Sequence, residues 1–271
     1  MKKEYSVLMA VYKNDKPEYV RLAIESMLNQ TILPEQFVIV IDGTVSDELL
    51  NTIKGYNYNQ TFAVINLPEN RGLAHALNIG IKHCRNELIV RMDADDISLP
   101  TRCEEELKLF EQYKELALCG CNIDEFYDEV TNIKTSRIVP SEYDEIRKFG
   151  RKRQPFNHPT IMFKKSELEK IGGYTEIRRK EDFDMFSRMI ASGAYVRNIN
   201  RSLYLYRAND GNYLRRKSKE NLIAAIEVYK LHRARGGCNW VEFIEICMAE
   251  IIFYILPFRI MKYVSDKLLR D

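Results

Sequence analysis

Four short, nearly continuous apolar runs lie in the first hundred residues, each followed by a stretch of helical periodicity or a tight turn. This alternation limits the fold of the chain more than any other feature. The runs are Ser6-Val-Leu-Met-Ala-Val-Tyr12, Phe37-Val-Ile-Val-Ile41, Phe62-Ala-Val-Ile-Asn66 and Glu87-Leu-Ile-Val-Arg-Met92. Runs this short and this apolar suit strands buried on both faces of a parallel sheet. Between them, Val20, Ile24, Met27 and Leu28 form one helical stripe, Leu49, Leu50 and Ile53 a second, and Gly72 to Lys82 a third helix. Asp15, with Pro17 and Glu18 behind it, reads as the cap of the first helix, and Ser46 as the cap of the second. The expected class is α/β, a doubly wound sheet.

The alternation loosens after Phe110. Strands are expected around Leu116 to Tyr127 and Thr160 to Phe163, with a helix from Ser166 to Ile171 stopped by Gly172-Gly173 and another from Asp182 to Ala191. From Lys217 onward the chain reads as helical, and it contains no internal repeat.

The fourth run ends on Asp93-Ala94-Asp95-Asp96, at the expected carboxyl end of a strand, where open α/β sheets bind their ligands. Three crowded carboxylates repel one another, and a hard divalent cation that also grips a phosphate relieves that repulsion. A solvated loop capping the helix from Arg102 is the plainer alternative. A calcium loop fails, because Ser98 stands where glycine is required and Pro100 breaks the loop. Neither GxGxxG after the first strand nor GxxxxGK[ST] anywhere is present, which disfavours dinucleotide oxidoreductases and P-loop NTPases.

At 271 residues, with 45% hydrophobic and 30% charged residues, the chain is long enough for a large core. From Arg197 onward, fourteen Lys and Arg face eight Asp and Glu, a basic stretch suited to an anionic partner. The six cysteines have no disulfide spacing and no CxxC pair, so a reducing compartment is expected; Cys119 and Cys121 suit a buried strand. Met1-Lys-Lys-Glu4 runs directly into the first strand, so no signal peptide and a cytoplasmic location are expected.

Several stretches together resemble the family 2 glycosyltransferases of the GT-A fold. They are Ser6-Val-Leu-Met-Ala-Val-Tyr-Lys-Asn14, Ser26-Met-Leu-Asn-Gln-Thr31, Val38-Ile-Val-Ile-Asp-Gly-Thr44, Asn70-Arg-Gly-Leu-Ala-His-Ala-Leu-Asn-Ile-Gly80, Arg91-Met-Asp-Ala-Asp-Asp96, Ile171-Gly-Gly-Tyr174 and Glu181-Asp182. The resemblance implies a GT-A domain over residues 1–210, with a nucleotide-sugar-binding half to about residue 105 and a mixed-sheet acceptor half from 106, followed by a helical segment over 211–271. It also implies an inverting transfer of a hexose from a UDP-sugar to a saccharide acceptor. That acceptor would be carried on a polyprenyl diphosphate, in O-antigen, capsule or exopolysaccharide assembly of the bacterial surface.

On the same resemblance, Ala10, Tyr12, Asp42, Arg71, Asp93 and Ala94 would line the nucleotide-sugar, with Asp42 accepting from the uracil N–H. Asp95 would ligate Mn2+ or Mg2+ on the diphosphate, and Asp182 would be the general base. Glu181 and His158 are candidates on the acceptor side; a buried structural imidazole is the alternative for His158. Asp184 is a weaker candidate, expected at the surface. The chain departs from the family in keeping one acid in Ile41-Asp-Gly-Thr44, and in placing Asn209 after Tyr206-Arg207 where many members have His. The remaining alternatives are a nucleotidyltransferase using paired Asp residues and a non-catalytic nucleotide-sugar-binding protein docked on a membrane.

The apolar Ile251-Ile-Phe-Tyr-Ile-Leu-Pro-Phe258 is too short to span a bilayer. Beside the basic residues Arg215-Arg-Lys217, Arg233, Arg235, Arg259 and Lys262, it either lies on an anionic membrane surface, making the protein peripheral on the inner face of the cell membrane, or packs on the core. No nucleic-acid partner is expected.

Overall fold

The computed structural model describes residues 4–56, 61–127, 129–177, 179–209, 211, 214 and 217–268. The Arg215-Arg216 pair of the basic cluster lies outside them, as does the side chain of Lys262. The four apolar runs become parallel strands: β1 (Tyr5–Val11), β2 (Gln36–Asp42), β3 (Phe62–Leu67) and β4 (Leu88–Met92). They pair in the order β3-β2-β1-β4, with Leu8 beside Val38 and Arg91. Side chains alternate across the strands. Val7, Met9, Phe37 and Ile39 pack beneath α1 (Pro17–Leu28), α2 (Asp47–Lys54) and α4 (Arg102–Gln112), while Leu8, Val38 and Val40 pack against α3 (Leu73–His83) on the other face. Each fully buried aliphatic or aromatic side chain contributes roughly 1.5–3 kcal/mol, so the two-sided sheet is the main source of stability.

The sheet continues beyond β4 by reversing direction. β8 (Met162–Lys164) runs antiparallel to β4, and β6 (Leu116–Phe126) antiparallel to β8. β9 (Tyr195–Arg207) lies parallel to β6 and carries the two-residue β5 (Ile97–Ser98); β7 (Ile133–Arg137) forms a hairpin with β6. The helices α5 (Tyr143–Gly150), α6 (Lys165–Lys170) and α7 (Glu181–Ala191) belong to this half. Three helices close the chain: α8 (Lys219–Ala234), α9 (Trp240–Ile255) and α10 (Phe258–Leu268). A third apolar cluster joins Phe183 of α7 to Val228 and Tyr229 of α8 and Ile246 of α9.

Local expectations held unevenly. Ser46 caps α2 by accepting from the Leu49 amide at 3.2 Å. Asp15 does not cap α1: its carboxylate turns back to the Tyr12 amide at 2.8 Å, and Lys16 takes the cap position without a side-chain bond. The backbone at His158–Thr160 is a 3-10 turn, and β8 begins two residues later than expected. All of Cys84, Cys103, Cys119, Cys121 and Cys238 are buried thiols.

Candidate active site

Asp42 closes β2 and is 4% exposed. One carboxylate oxygen accepts from the Arg71 amide at 3.0 Å and the other from the Gly72 amide at 2.9 Å, at the amino end of α3, where free N–H groups favour an anion. Its carbonyl oxygen accepts from the Asn70 side chain at 3.0 Å. The approach depends on Gly43, whose φ is +86° and whose added Cβ would stand 2.7 Å from the Asn70 nitrogen. Asp42 therefore fastens the 70–72 loop to the sheet while each oxygen keeps a second lone pair. The Arg71 guanidinium reaches across to Glu176 at 3.1 Å, and His75 meets the other oxygen of Glu176 at 2.8 Å. Arg71 and Glu176 are half exposed, so this contact is a weak surface latch between the two halves.

The acidic loop after β4 is held from below by buried cations. Arg91, 2% exposed, pairs through both terminal nitrogens with the Asp93 carboxylate. Burial opposes the charge of Arg91, but Asp93 and the neighbouring acids outweigh it and keep the guanidinium protonated. The Asp93 amide donates to the Tyr204 hydroxyl at 3.2 Å. Beneath them Arg102 donates to the Arg91 carbonyl at 3.0 Å and pairs with Glu106 at 3.1 Å, both side chains fully buried.

Asp96 turns inward. It is fully buried, accepts from the Arg207 amide at 2.7 Å, and its carboxyl is raised well above the usual range by burial and then by Asp95 and Asp93. Arg207 also donates to the Asp95 carbonyl at 2.8 Å, its guanidinium lying 3.8 Å from the Tyr19 ring centre and 4.5 Å from that of Phe126. Of the three carboxylates read together in the sequence, Asp96 thus belongs to the support, and Asp93 and Asp95 are the partly exposed ones. Ala94 between them is buried. Ala10, the penultimate residue of β1, and Tyr12, just past the strand, are both half-buried.

Asp182 lies in the first turn of α7. Its oxygens accept from the Phe183 amide at 2.7 Å and from the Gln154 amide group at 2.6 Å. The preceding Lys180 has φ 62°, the one non-glycine residue with positive φ among the described residues, and its ammonium pairs with Glu250 at 2.9 Å. Glu181 is pushed up to about 7, chiefly by burial and next by Asp182; Arg91 and Asp93 also act on it, so the start of α7 and the acidic loop share one electrostatic environment.

His158 is buried. Its Nε2 meets the Tyr174 hydroxyl at 2.8 Å, its ring packs against Phe186, and burial followed by Arg91 lowers it well below its usual range. A neutral imidazole under the cleft is the outcome, in line with the structural alternative. Asp184 is not at the surface: it is fully buried and bonded to Thr175, Arg188 and Arg235, which together outweigh burial and leave its carboxyl low. Asn209 has a bonding partner of its own within the protein. Sequence reading missed Arg91, Tyr204, Arg207 and Gln154. The available signal was Arg91, a lone cation inside an apolar strand.

Among the described residues no group of three or more His, Cys, Asp or Glu is arranged to hold a metal by itself. The donors present, Asp93 and Asp95 on one short loop, fit Mg2+ or Mn2+ bound jointly by carboxylate and substrate phosphate rather than in a protein cage.

A parallel sheet packed by helices on both faces and extended by antiparallel strands is the GT-A fold. Solved structures share it at low identity. S. aureus TarS superposes with a TM-score of 0.67 at 14% identity over 98% of this chain, which spans 46% of that longer protein. The mannosyltransferase PcManGT from Pyrobaculum calidifontis, in complex with GDP-Man and Mn2+, gives 0.66 at 17% identity over 96% of this chain and 74% of its own. The profile of glycosyl transferase family 2 matches residues 6–172, and the chain belongs to that family. It is 30% identical, over 98% of its length and 97% of the relative's, to the UDP-Gal:alpha-D-GlcNAc-diphosphoundecaprenol beta-1,3-galactosyltransferase of Escherichia coli. Family membership takes precedence over the nucleotidyltransferase alternative.

Proposed function

We propose that this glycosyltransferase moves a hexose from a UDP-sugar, with inversion, to a saccharide carried on a polyprenyl diphosphate during O-antigen, capsule or exopolysaccharide assembly. What supports the reading is that the acids after β4, Asp93 and Asp95, and those at the start of α7, Glu181 and Asp182, lie within electrostatic reach, since Arg91 and Asp93 both act on the Glu181 carboxyl. The E. coli relative named for a UDP-sugar donor and an undecaprenyl diphosphate acceptor supports the choice of substrates. The lipid carrier would bring the enzyme to the inner face of the cell membrane.

In this reading Asp42 accepts from the uracil N–H with its spare lone pairs, and Ala10, Tyr12, Arg71 and Ala94 line the nucleotide. Asp95, aided by Asp93, would hold Mn2+ or Mg2+ beside the donor phosphates. When bound, the ion neutralises charge developing on the departing UDP. Asp182, kept in place by Gln154, takes the proton of the acceptor hydroxyl as it attacks the anomeric carbon. With one base and no second carboxylate nucleophile assigned, a single displacement inverts that centre. Arg91, Tyr204 and Arg207 position the acids, and His158 supports Tyr174.

The test is incubation of the full chain with Mn2+, a panel of UDP-sugars and lipid-linked saccharide acceptors, followed by product analysis. Release of UDP with a new inverted linkage is the expected result. UDP-sugar binding without turnover on any acceptor would favour the non-catalytic alternative.

A further inference from the structure

Helix α9 carries a broad apolar face toward solvent, while its acids pair with cations of the protein body. Its three glutamates are all bonded to the body of the protein: Glu242 to Arg151 at 2.5 Å, Glu245 to Lys152 at 2.5 Å and Glu250 to Lys180 at 2.9 Å. Phe243 and Ile246 point the same way, into the cluster built on Phe183 and Tyr229. The outward stripe is Val241, Ile244, Met248, Ile251, Ile252 and Ile255, each between 41% and 70% exposed, at the three- and four-residue spacing of one helical face. It continues onto Ile260 and Tyr263 of α10. Isolated exposed apolar residues are ordinary, but a contiguous aliphatic face implies a cover.

We propose that this face of α9 and α10 docks in the headgroup region of an anionic lipid bilayer. Three observations choose lipid. The charges around the stripe are cationic: Lys217 bonds the Tyr254 carbonyl at 3.0 Å, Arg233 stacks 3.7 Å from the Trp240 ring centre, and Lys230 and Arg259 are exposed. The acids of α9 itself are all engaged by cations of the same chain, Glu242 and Glu250 mostly buried and Glu245 in a surface pair, so the same face of a second copy would bring cations against cations. Trp240, Tyr254 and Tyr263, exposed along the stripe, are the side chains that settle at a membrane–water boundary. Among the described residues no helix is long and apolar enough to cross a membrane, and Leu256-Pro257 breaks the apolar run between α9 and α10, so the helices lie in the plane of the surface.

The inner side of α9 meets the candidate base. Glu250 braces Lys180, two residues before Asp182, and Ile246 packs in the cluster that holds Phe183, the residue after it. A helix that rests on lipid with one face thus supports the acceptor side of the active site with the other. This deepens the lipid-linked acceptor reading and rests on it for its biological sense.

The test uses the full chain and vesicles of phosphatidylcholine, with or without about one-third phosphatidylglycerol. Sedimentation with the anionic vesicles alone, weakened by salt, is expected. The double variant Ile244→Glu/Ile252→Glu changes two exposed positions and should bind these vesicles at least about tenfold less, with UDP affinity and turnover on a water-soluble acceptor unchanged. Three outcomes overturn the proposal: no sedimentation of the parent chain, equal sedimentation of the variant, or a dimer in light scattering that the variant dissolves. Turnover on the soluble acceptor reports the transferase reading separately.

Discussion

The guanidinium of Arg91, inside β4, pairs with the carboxylate of Asp93 just beyond the end of that strand, and Tyr204 receives the amide of the same aspartate. A charge buried in the sheet thus fixes the direction of the acid that follows it. Arg91→Met keeps the length and apolar stem but frees Asp93, which is 29% exposed and can take up water. We expect UDP affinity in the presence of Mn2+ to fall about tenfold and stability to fall by about 1–3 kcal/mol, checked by calorimetry and denaturant titration.

Asp95→Ala should abolish the metal-dependent part of UDP binding, because the diphosphate would then face carboxylates without its bridge. Calorimetry of UDP with and without Mn2+ measures this. An unchanged metal increment would remove Asp95 from the metal site.

Asp42→Ala should weaken UDP binding with or without metal. It should also destabilise the protein by about 2 kcal/mol, since it removes the acceptor of two backbone amides at the start of α3. Amide exchange at Arg71 and Gly72 is the direct measurement: both should lose protection.

The raised Glu181 carboxyl fixes the sign of an expected pH dependence. Its folded value is raised to about 7 from 4.5, so the folded state binds the proton more tightly than the unfolded one. Its contribution is therefore fully present below about 4.5 and is lost as pH rises towards about 7. Glu181→Gln should flatten the fall in stability over that window, measured as the difference between the two proteins in urea midpoints at pH 5 and pH 7.

The first hundred or so residues were legible because their strands are buried on both faces and read as apolar runs, and because Asp42, Asp93 and Asp95 stand at strand ends. The mixed part of the sheet that follows was not. β9, the longest strand, was missed because Arg197, Asn198, Asn200, Arg201 and Ser202 give its middle the composition of a loop. Burial of Asn198 is made possible by its amide bonds to the Pro140 and Pro155 carbonyls, contacts no local pattern announces. The same strand delivers Tyr204 and Arg207 to the acidic loop from more than a hundred residues away, so the inward turn of Asp96 was invisible from its neighbours in sequence. Asp184 misled for a related reason: only the return of α8 brings Arg235 to it.

The central claim is that Asp182 is the base of the transfer, and the most direct measurement is the kinetics of Asp182→Asn. The substitution keeps an oxygen for the Phe183 amide and the shape of the first turn of α7. Turnover should fall roughly 10²- to 10⁴-fold at saturating acceptor, with UDP affinity unchanged. Near-normal turnover in that variant would contradict the account and leave Asp182 as a residue that only begins a helix.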